Sequence, residues 1–202
     1  MSNHVYLVDD DEAVRKALSL LLETVGLDVR SFASPETFLN QATSLVPGSL
    51  ILDIRMPAIS GLKLQEKLTE QGIDWPTVVI SGHGDIEACR RAFRNGAIDF
   101  LSKPIDEQDL IDAIQKGHAA LEARAQVTAE RAEAVALVDH LTAREQEVLA
   151  MLAKGLTSKQ IADALGLSPR TVESHRAAIA GKAGTSSTAQ LTRYWLEARG
   201  NQ

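Results

Sequence analysis

Short apolar runs alternate with amphipathic stretches through the first part of the chain. Val5-Tyr6-Leu7-Val8 is an unbroken apolar run that ends in Asp9-Asp10-Asp11. From Ala13 to Thr24 the period becomes helical, with Val14, Leu18, Leu21 and Leu22 on one face and Arg15, Lys16 and Glu23 on another. Gly26 stops that helix. Asp28 to Phe32 alternates weakly, as an edge strand does. Ser34-Pro35-Glu36 opens a second helix, with a capping serine and a proline at the first helical position. Leu50-Ile51-Leu52 reads as a buried strand that stops at Asp53, and Met56-Pro57 and Ser60-Gly61 supply loop chemistry after it. A helix over about 60–70 follows, then a strand from Trp75 to Ile80 closed by Ser81-Gly82-His83-Gly84. A helix from Ile86 to Asn95 and a strand over Ile98-Asp99-Phe100-Leu101, ending at Ser102-Lys103-Pro104, complete the series. Strands alternating with helices in this way predict an α/β fold, a doubly wound five-stranded parallel sheet with helices on both faces.

The rest of the chain reads as helix throughout. Asp106 to Leu137 contains no proline and only Gly117, and Ile111, Ile114, His118 and Leu121 continue a helical stripe. Beyond them, Glu122 to Gln126 and Ala129 to Glu133 are rich in strong helix formers. The last helix of the first half is therefore expected to run on as a semi-rigid spacer, and a break, if it has one, falls near Val127-Thr128. Thr142 with Glu145 three positions on is a capping box, and Val148, Leu149 and Leu152 form the apolar face behind it. Thr157-Ser158 caps a helix from Lys159 to Leu165, Gly166-Leu167-Ser168 makes a turn, and further helices run from Pro169 to about Lys182 and from Ser186 to Arg199. Two short helices joined by a glycine turn are a helix-turn-helix, the second being the reader, so this part is a small all-α domain. The boundaries expected are 1–120 for the α/β domain, 121–138 for a helical linker and 139–202 for the helix-turn-helix domain.

Composition changes this picture only in places. With 45% hydrophobic and 24% charged residues the chain is ordinary for a globular protein. It has no apolar run near the length of a membrane span. Its first residues run straight into a strand without a signal-peptide layout, so a cytoplasmic protein without a membrane partner is expected. The single cysteine, Cys89, excludes an intrachain disulfide. The net charge of -6 is unevenly spread: residues 1–123 carry 11 Lys/Arg against 19 Asp/Glu, and residues 124–202 carry 10 against 8. Nucleic-acid contact therefore belongs to the second half, through clustered cations rather than overall charge.

The candidate chemistry follows from topology. Asp9 and Asp10, Asp53, Ser81 and Lys103 each lie at the carboxyl end of a different strand, and in a doubly wound sheet those ends share one edge. Carboxylates gathered there need a cation. Oxygen-only ligands suit Mg²⁺, with Asp10 as a direct ligand and Asp9 as a nearby or water-bridged one. Asp53 is the candidate nucleophile, forming an acyl phosphate. Lys103 supplies positive charge to the phosphoryl oxygens and Ser81 a hydroxyl donor. In the second half Arg170, Thr171, Ser174 and either His175 or Arg176 project from the reader helix towards base edges, while Lys159 and Lys182 suit phosphates. Glu173 is open to two readings, an intraprotein bond or a DNA contact. Two rival functions also stay open: a phosphatase or phosphotransferase using the same carboxylates, and an adaptor whose helical half binds protein or RNA.

Val8-Asp9-Asp10-Asp11-Glu12, Leu52-Asp53-Ile54-Arg55-Met56-Pro57 with Ser60-Gly61, Ser81-Gly82-His83-Gly84-Asp85 and Gly96 to Pro104 together resemble the receiver domain of two-component response regulators, over residue 4 to about 120. Leu141 to about Leu196 resembles the LuxR-type helix-turn-helix domain through Leu-Thr-Ala-Arg-Glu-Gln-Glu-Val-Leu, Lys159-Gln160-Ile161-Ala162 and Leu167 to Arg176. The order of the parts, with Ser-Gly-His-Gly, is similar to the FixJ subfamily. The resemblance implies a flavodoxin-like receiver whose Asp53 is phosphorylated by a sensor histidine kinase. It implies Mg²⁺ held by Asp10, Asp53 and the backbone carbonyl of Arg55, and a cis peptide before Pro104. Phe100 takes the family's aromatic switch position. The implied outcome is a phosphorylation-dependent homodimer that binds double-stranded promoter DNA and works with RNA polymerase to regulate transcription. Two departures stand out: Ala58, where many relatives carry an acidic residue, and the small, glycine-bearing tail of the reader helix from Ala177 to Gly184.

Overall fold

The computed structural model describes residues 3–82 and 86–200. His83, Gly84 and Asp85, from the turn expected after the fourth strand, lie outside the described residues. The chain divides into two compact units, Met1–Arg124 and Ala125–Gln202.

In the first unit strands and helices alternate as β1 (His4–Val8), α1 (Glu12–Thr24), β2 (Asp28–Phe32), α2 (Pro35–Ala42), β3 (Ser49–Asp53), α3 (Gly61–Glu70), β4 (Thr77–Ser81), α4 (Ile86–Arg94), β5 (Ala97–Ser102) and the start of α5 (Glu107–Asp139). The strands pair in parallel in the order β2-β1-β3-β4-β5. Because strand side chains alternate, Val5, Leu7, Ile51, Val78 and Ile80 all face one layer, where Leu18 and Leu22 of α1 and Leu110 and Ile114 of α5 cover them. Tyr6, Val8, Leu50 and Leu52 face the other layer against Phe38 of α2 and Leu64 and Leu68 of α3. Val79 meets Ala88 and Ala92 of α4 there. β3 is buried at every residue, as a central strand covered on both faces must be. β2 lies at the sheet edge and is mostly exposed, in line with its weak alternation.

Side-chain caps fix the helix starts near the carboxyl edge. The Asp11 carboxylate accepts from the N–H groups of Ala13 and Val14, and Ser60 accepts from Lys63. Gly61 begins α3 directly over the nucleophile candidate. A Cβ built there would lie 2.1 Å from the Asp53 carbonyl oxygen, so no other residue fits. Its N–H donates to the Ile54 carbonyl at 3.0 Å and closes the loop. Within that loop Ala58 adopts a left-handed φ of 61°, a conformation that disfavours any side chain.

α5 runs from Glu107 to Asp139 without interruption, so no break forms near Val127-Thr128. Two β-branched residues cost only tenths of a kcal/mol each in a helix. Gln126 donates to Glu130 at 2.7 Å, four residues on, and bridges the weak point. Among the described residues no helix is long and apolar enough to cross a membrane.

The second unit contains the end of α5, α6 (Ala143–Ala153), α7 (Ser158–Leu165), α8 (Pro169–Ala183) and α9 (Thr188–Arg199). Val138, Leu141, Val148, Leu149, Leu152, Ile161, Val172, Ile179 and Leu191 form its core. Ala134, one turn before Val138, is also buried, and Glu133 accepts a bond from the Tyr194 hydroxyl at 3.2 Å. Both expected caps at Thr142 and Thr157 are complete capping boxes. Gly166 takes the left-handed conformation that ends α7 and turns the chain into α8. α8 continues through its glycine-bearing tail to Ala183, where Lys182 bonds the buried Glu145 carboxylate at 2.7 Å and the His140 carbonyl at 3.3 Å. The Lys182 ammonium holds Glu145 below the usual carboxylate range against the opposing effect of burial, and the Thr142 N–H adds to it.

Two expectations follow. Gly61→Ala should lower the stability of the first unit by about 1–3 kcal/mol, as overpacking does, read as a lower urea midpoint; an unchanged midpoint would mean the loop yields freely. Because the Glu145 pKa is depressed on folding, its contribution is full above the unfolded value near 4.5 and is lost as pH falls through the folded value. Glu145→Gln should therefore lower the calorimetric midpoint of the second unit at neutral pH and leave it close to the parent in acid. An equal deficit at both pH values would refute the ion-pair account.

Candidate functional site

The carboxyl edge of the sheet gathers side chains from separate strands around one ammonium group. Lys103 follows β5 and places its Nζ 2.7 Å from Asp53 Oδ1 and 2.9 Å from Asp9 Oδ2. The remaining oxygen of each carboxylate is held by the backbone: Asp11 N–H donates to Asp9 Oδ1 at 2.8 Å, and Arg55 N–H donates to Asp53 Oδ2 at 2.7 Å. Asp9 and Asp53 are buried, at 1% and 5% exposure, whereas Asp10 is exposed. Ser81, the last residue of β4, is buried, and its carbonyl accepts from the Lys103 N–H at 2.7 Å, which ties the ends of β4 and β5 together. The Lys103–Pro104 peptide is cis, as the resemblance implied.

The electrostatics follow from burial and pairing. Burial pushes the Asp53 carboxyl above its ordinary value, while the bond and charge of Lys103 pull it back. Lys103 is itself raised: burial works against its charge, and the bonds to Asp53 and Asp9 outweigh that penalty. Phe100 of β5 is half-buried and packs against a cluster that includes Ile54, Val79, Ala88 and Ala92.

Among the described residues no group of three or more His, Cys, Asp or Glu side chains is placed to hold a metal ion. Asp9 and Asp53 nevertheless supply the chemistry that Mg²⁺ takes, since it binds through one or two carboxylates and keeps several waters. The arrangement can thus present a carboxylate nucleophile beside a fixed positive charge, with a hard-cation donor set alongside.

Two contributors were not evident beforehand. Arg15, one turn into α1, donates to the Asp9 carbonyl at 2.7 Å, and nothing in its local sequence marks it for that task. Gly61 reads as a loop residue in the sequence, but its contact with the Asp53 peptide is visible only in three dimensions.

On the helix-turn-helix, Arg170 and Ser174 lie on the exposed side of α8 and Lys159 is exposed at the start of α7. Thr171 is half-buried, its N–H bound to the Ser168 cap at 3.1 Å. His175 and Arg176 are half-buried on the flanks of the helix. Arg176 turns towards α7, where its Nη1 donates to Ser158 Oγ at 2.7 Å. Glu173 bonds within the protein, accepting from Ser158 Oγ at 2.5 Å. Lys182 sits with Glu145 at the far end of α8 and is not brought together with the other cations.

Comparison with known proteins agrees with both halves. Residues 5–115 match the response regulator receiver domain family, and residues 139–195 match the bacterial regulatory proteins of the luxR family. The transcriptional regulatory protein TdiR of Thauera aromatica is 40% identical over 190 residues, covering 94% of this chain and 84% of its own. The transcriptional regulatory protein FixJ of Azorhizobium caulinodans is 40% identical over 194 residues, covering 95% and 91%. Among solved structures, the response regulator StyR superposes with a TM-score of 0.82 at 42% identity, covering 95% of this chain and 96% of its own. With relatives of this kind matching along nearly its whole length, the chain belongs to the response regulators that join a receiver domain to a LuxR-type DNA-binding domain and regulate transcription.

Proposed function

We propose that phosphorylation of Asp53 by a sensor histidine kinase controls this transcriptional regulator. The observation that carries the reading is the single ammonium of Lys103 shared by two buried carboxylates at the edge where a doubly wound sheet binds its ligands. Burial raises the Asp53 carboxyl and Lys103 pulls it back towards the carboxylate, which is the form a nucleophile needs. An Asp53 oxygen forms the new bond to phosphorus as the kinase's phosphohistidine P–N bond breaks, and the imidazole leaves. Lys103 then faces the phosphoryl oxygens in place of the carboxylate it bonded before. Asp9, Asp10, Asp53 and the Arg55 carbonyl would hold Mg²⁺, which when bound supplies further positive charge to those oxygens.

The phosphoryl group adds about 1.5–2 negative charges and strong acceptor oxygens next to Ser81. The Ser81 hydroxyl moves towards them, and Phe100 turns inward against the small side chains Ala88 and Ala92. This repacks the face made by α4, β5 and α5. Ile86 and Phe93 of α4 are exposed at 78% and 48%, an apolar surface suited to a second copy of the chain. The dimer sets two α8 helices on promoter DNA, with Arg170, Thr171, Ser174 and His175 near the bases, and with Lys159 and Arg176, which turns towards the start of α7, on phosphates. RNA polymerase then meets the complex in the cytoplasm. The role is regulatory: Asp53 turns over only its own phosphoryl group.

The test pairs the parent with Asp53→Asn, both treated with a small acyl phosphate and Mg²⁺. The parent should gain the phosphoryl mass, shift to a dimer in sedimentation and bind duplex DNA more tightly, and Asp53→Asn should do none of these. Equal sedimentation of the two would sink the reading. Lys103→Ala provides a second check. It removes the bond and charge that pull Asp53 down while burial and the neighbouring Asp9 charge remain, so the folded pKa of Asp53 rises further and stability is lost as pH rises through it. The deficit should reach about 3 kcal/mol near neutrality and shrink below the ordinary carboxylate range; a deficit independent of pH would refute the pairing.

A further inference from the structure

The reader helix carries an acidic residue where nucleic acid would prefer none. Glu173 is 59% exposed on α8, and its Oε1 is contacted from two sides: Ser158 Oγ donates to it at 2.5 Å, and Arg176 Nη1 lies 3.4 Å away. The same Arg176 nitrogen donates to Ser158 Oγ at 2.7 Å. The three groups close a ring, with arginine giving to serine, serine giving to glutamate, and glutamate facing the arginine.

The place where the ring closes gives it meaning. Ser158 is the first residue of α7, and the Thr157 hydroxyl caps the N–H of Gln160. The other N–H groups of that first turn point out of the helix, and an N-terminus of this kind favours anions. Lys159 stands beside it, exposed. Arg176 thus brings a second cation to a start of helix that suits a backbone phosphate, but the glutamate holds it there. Both bonds fall on one guanidinium nitrogen, and the guanidinium has five N–H donors in a fixed fork, so the tether sets the direction of the fork without exhausting it.

We propose that Glu173 is a positioning residue that restrains Arg176 and competes with backbone phosphate for it, so that the protein binds arbitrary duplex weakly. On a random sequence, a phosphate must share Arg176 with a carboxylate that repels it. On the proper site, base contacts from the rest of α8 hold the duplex in register, and the oriented fork meets its phosphate in spite of the glutamate. The ring thereby trades general affinity for discrimination. This rests on the reading of α8 as the DNA reader.

The experiment titrates full-length protein with a mixed-sequence duplex over a salt series of about 50–200 mM, where phosphate contacts dominate the affinity. Parent, Glu173→Gln, Arg176→Gln and the double variant are compared. Glu173→Gln should bind the mixed duplex about 3–10-fold tighter at the lowest salt, the scale of one exposed charge interaction. Its log–log salt slope should steepen by up to about 0.9, the share of one extra phosphate. In the Arg176→Gln background the gain should vanish, because no tethered cation is left to release. No gain in Glu173→Gln overturns the proposal, and so does a gain that survives undiminished without Arg176, since it would then be a general charge effect. If the parent itself shows no salt-sensitive duplex binding, the reading of α8 falls along with the proposal.

Discussion

One lysine holds the receiver unit's chemistry in place. Two buried carboxylates within bonding distance of a common point repel each other strongly, and the Lys103 ammonium between Asp9 and Asp53 offsets that repulsion. The position of the lysine depends on the whole sheet. β5 delivers it, the Ser81 carbonyl fixes its backbone, and the parallel sheet puts the carboxyl end of β5 on the same edge as those of β1 and β3, from where the long lysine side chain reaches across. Backbone N–H groups of Asp11 and Arg55 then orient the outer carboxylate oxygens. The same lysine that stabilises the resting pair is the group a phosphoryl oxygen would claim. A change of charge at Asp53 is therefore felt at once on two strands.

The second unit uses ion pairs for a different end. Lys182 and Glu145 join the tail of α8 to the start of α6, where the same glutamate oxygen accepts from the Thr142 N–H in the capping box. This pair is structural: it sits at the far end of the reader from Arg170 and Ser174. The Glu173 and Arg176 pair, exposed on its glutamate side, gains little stability of its own, as surface ion pairs do. Its position between α7 and α8 gives it significance for binding rather than for folding.

The sheet was legible in the sequence because central strands read as apolar runs and because these runs ended in polar residues: aspartate twice, then serine and lysine. The convergence of Asp53, Ser81 and Lys103 needed only the rule that parallel strands end together. What local pattern did not reveal was tertiary in origin. The run of three aspartates suggested Asp10 as the more direct participant, but it is Asp9 that is buried on Lys103 while Asp10 faces out. The uninterrupted α5 depended on a side-chain bond across its weakest residues, which propensity alone undervalues. The turn of Arg176 towards α7 depended on Ser158, far away in sequence, and helical periodicity left it on the outward list.

The closure of the loop after Asp53 constrains how this chain can diverge. Its two ends are joined by the bond from the Gly61 N–H to the Ile54 carbonyl, and the glycine itself abuts the Asp53 peptide. Between them Arg55 and Pro57 face solvent and tolerate exchange, whereas Met56 and Ile59 pack on the cluster beneath and Ser60 caps the helix. The number of residues cannot change, because an insertion or deletion would drag the start of α3 across the Asp53 carbonyl. Drift in this segment should accordingly appear as substitutions at fixed spacing, with gaps between related chains falling elsewhere.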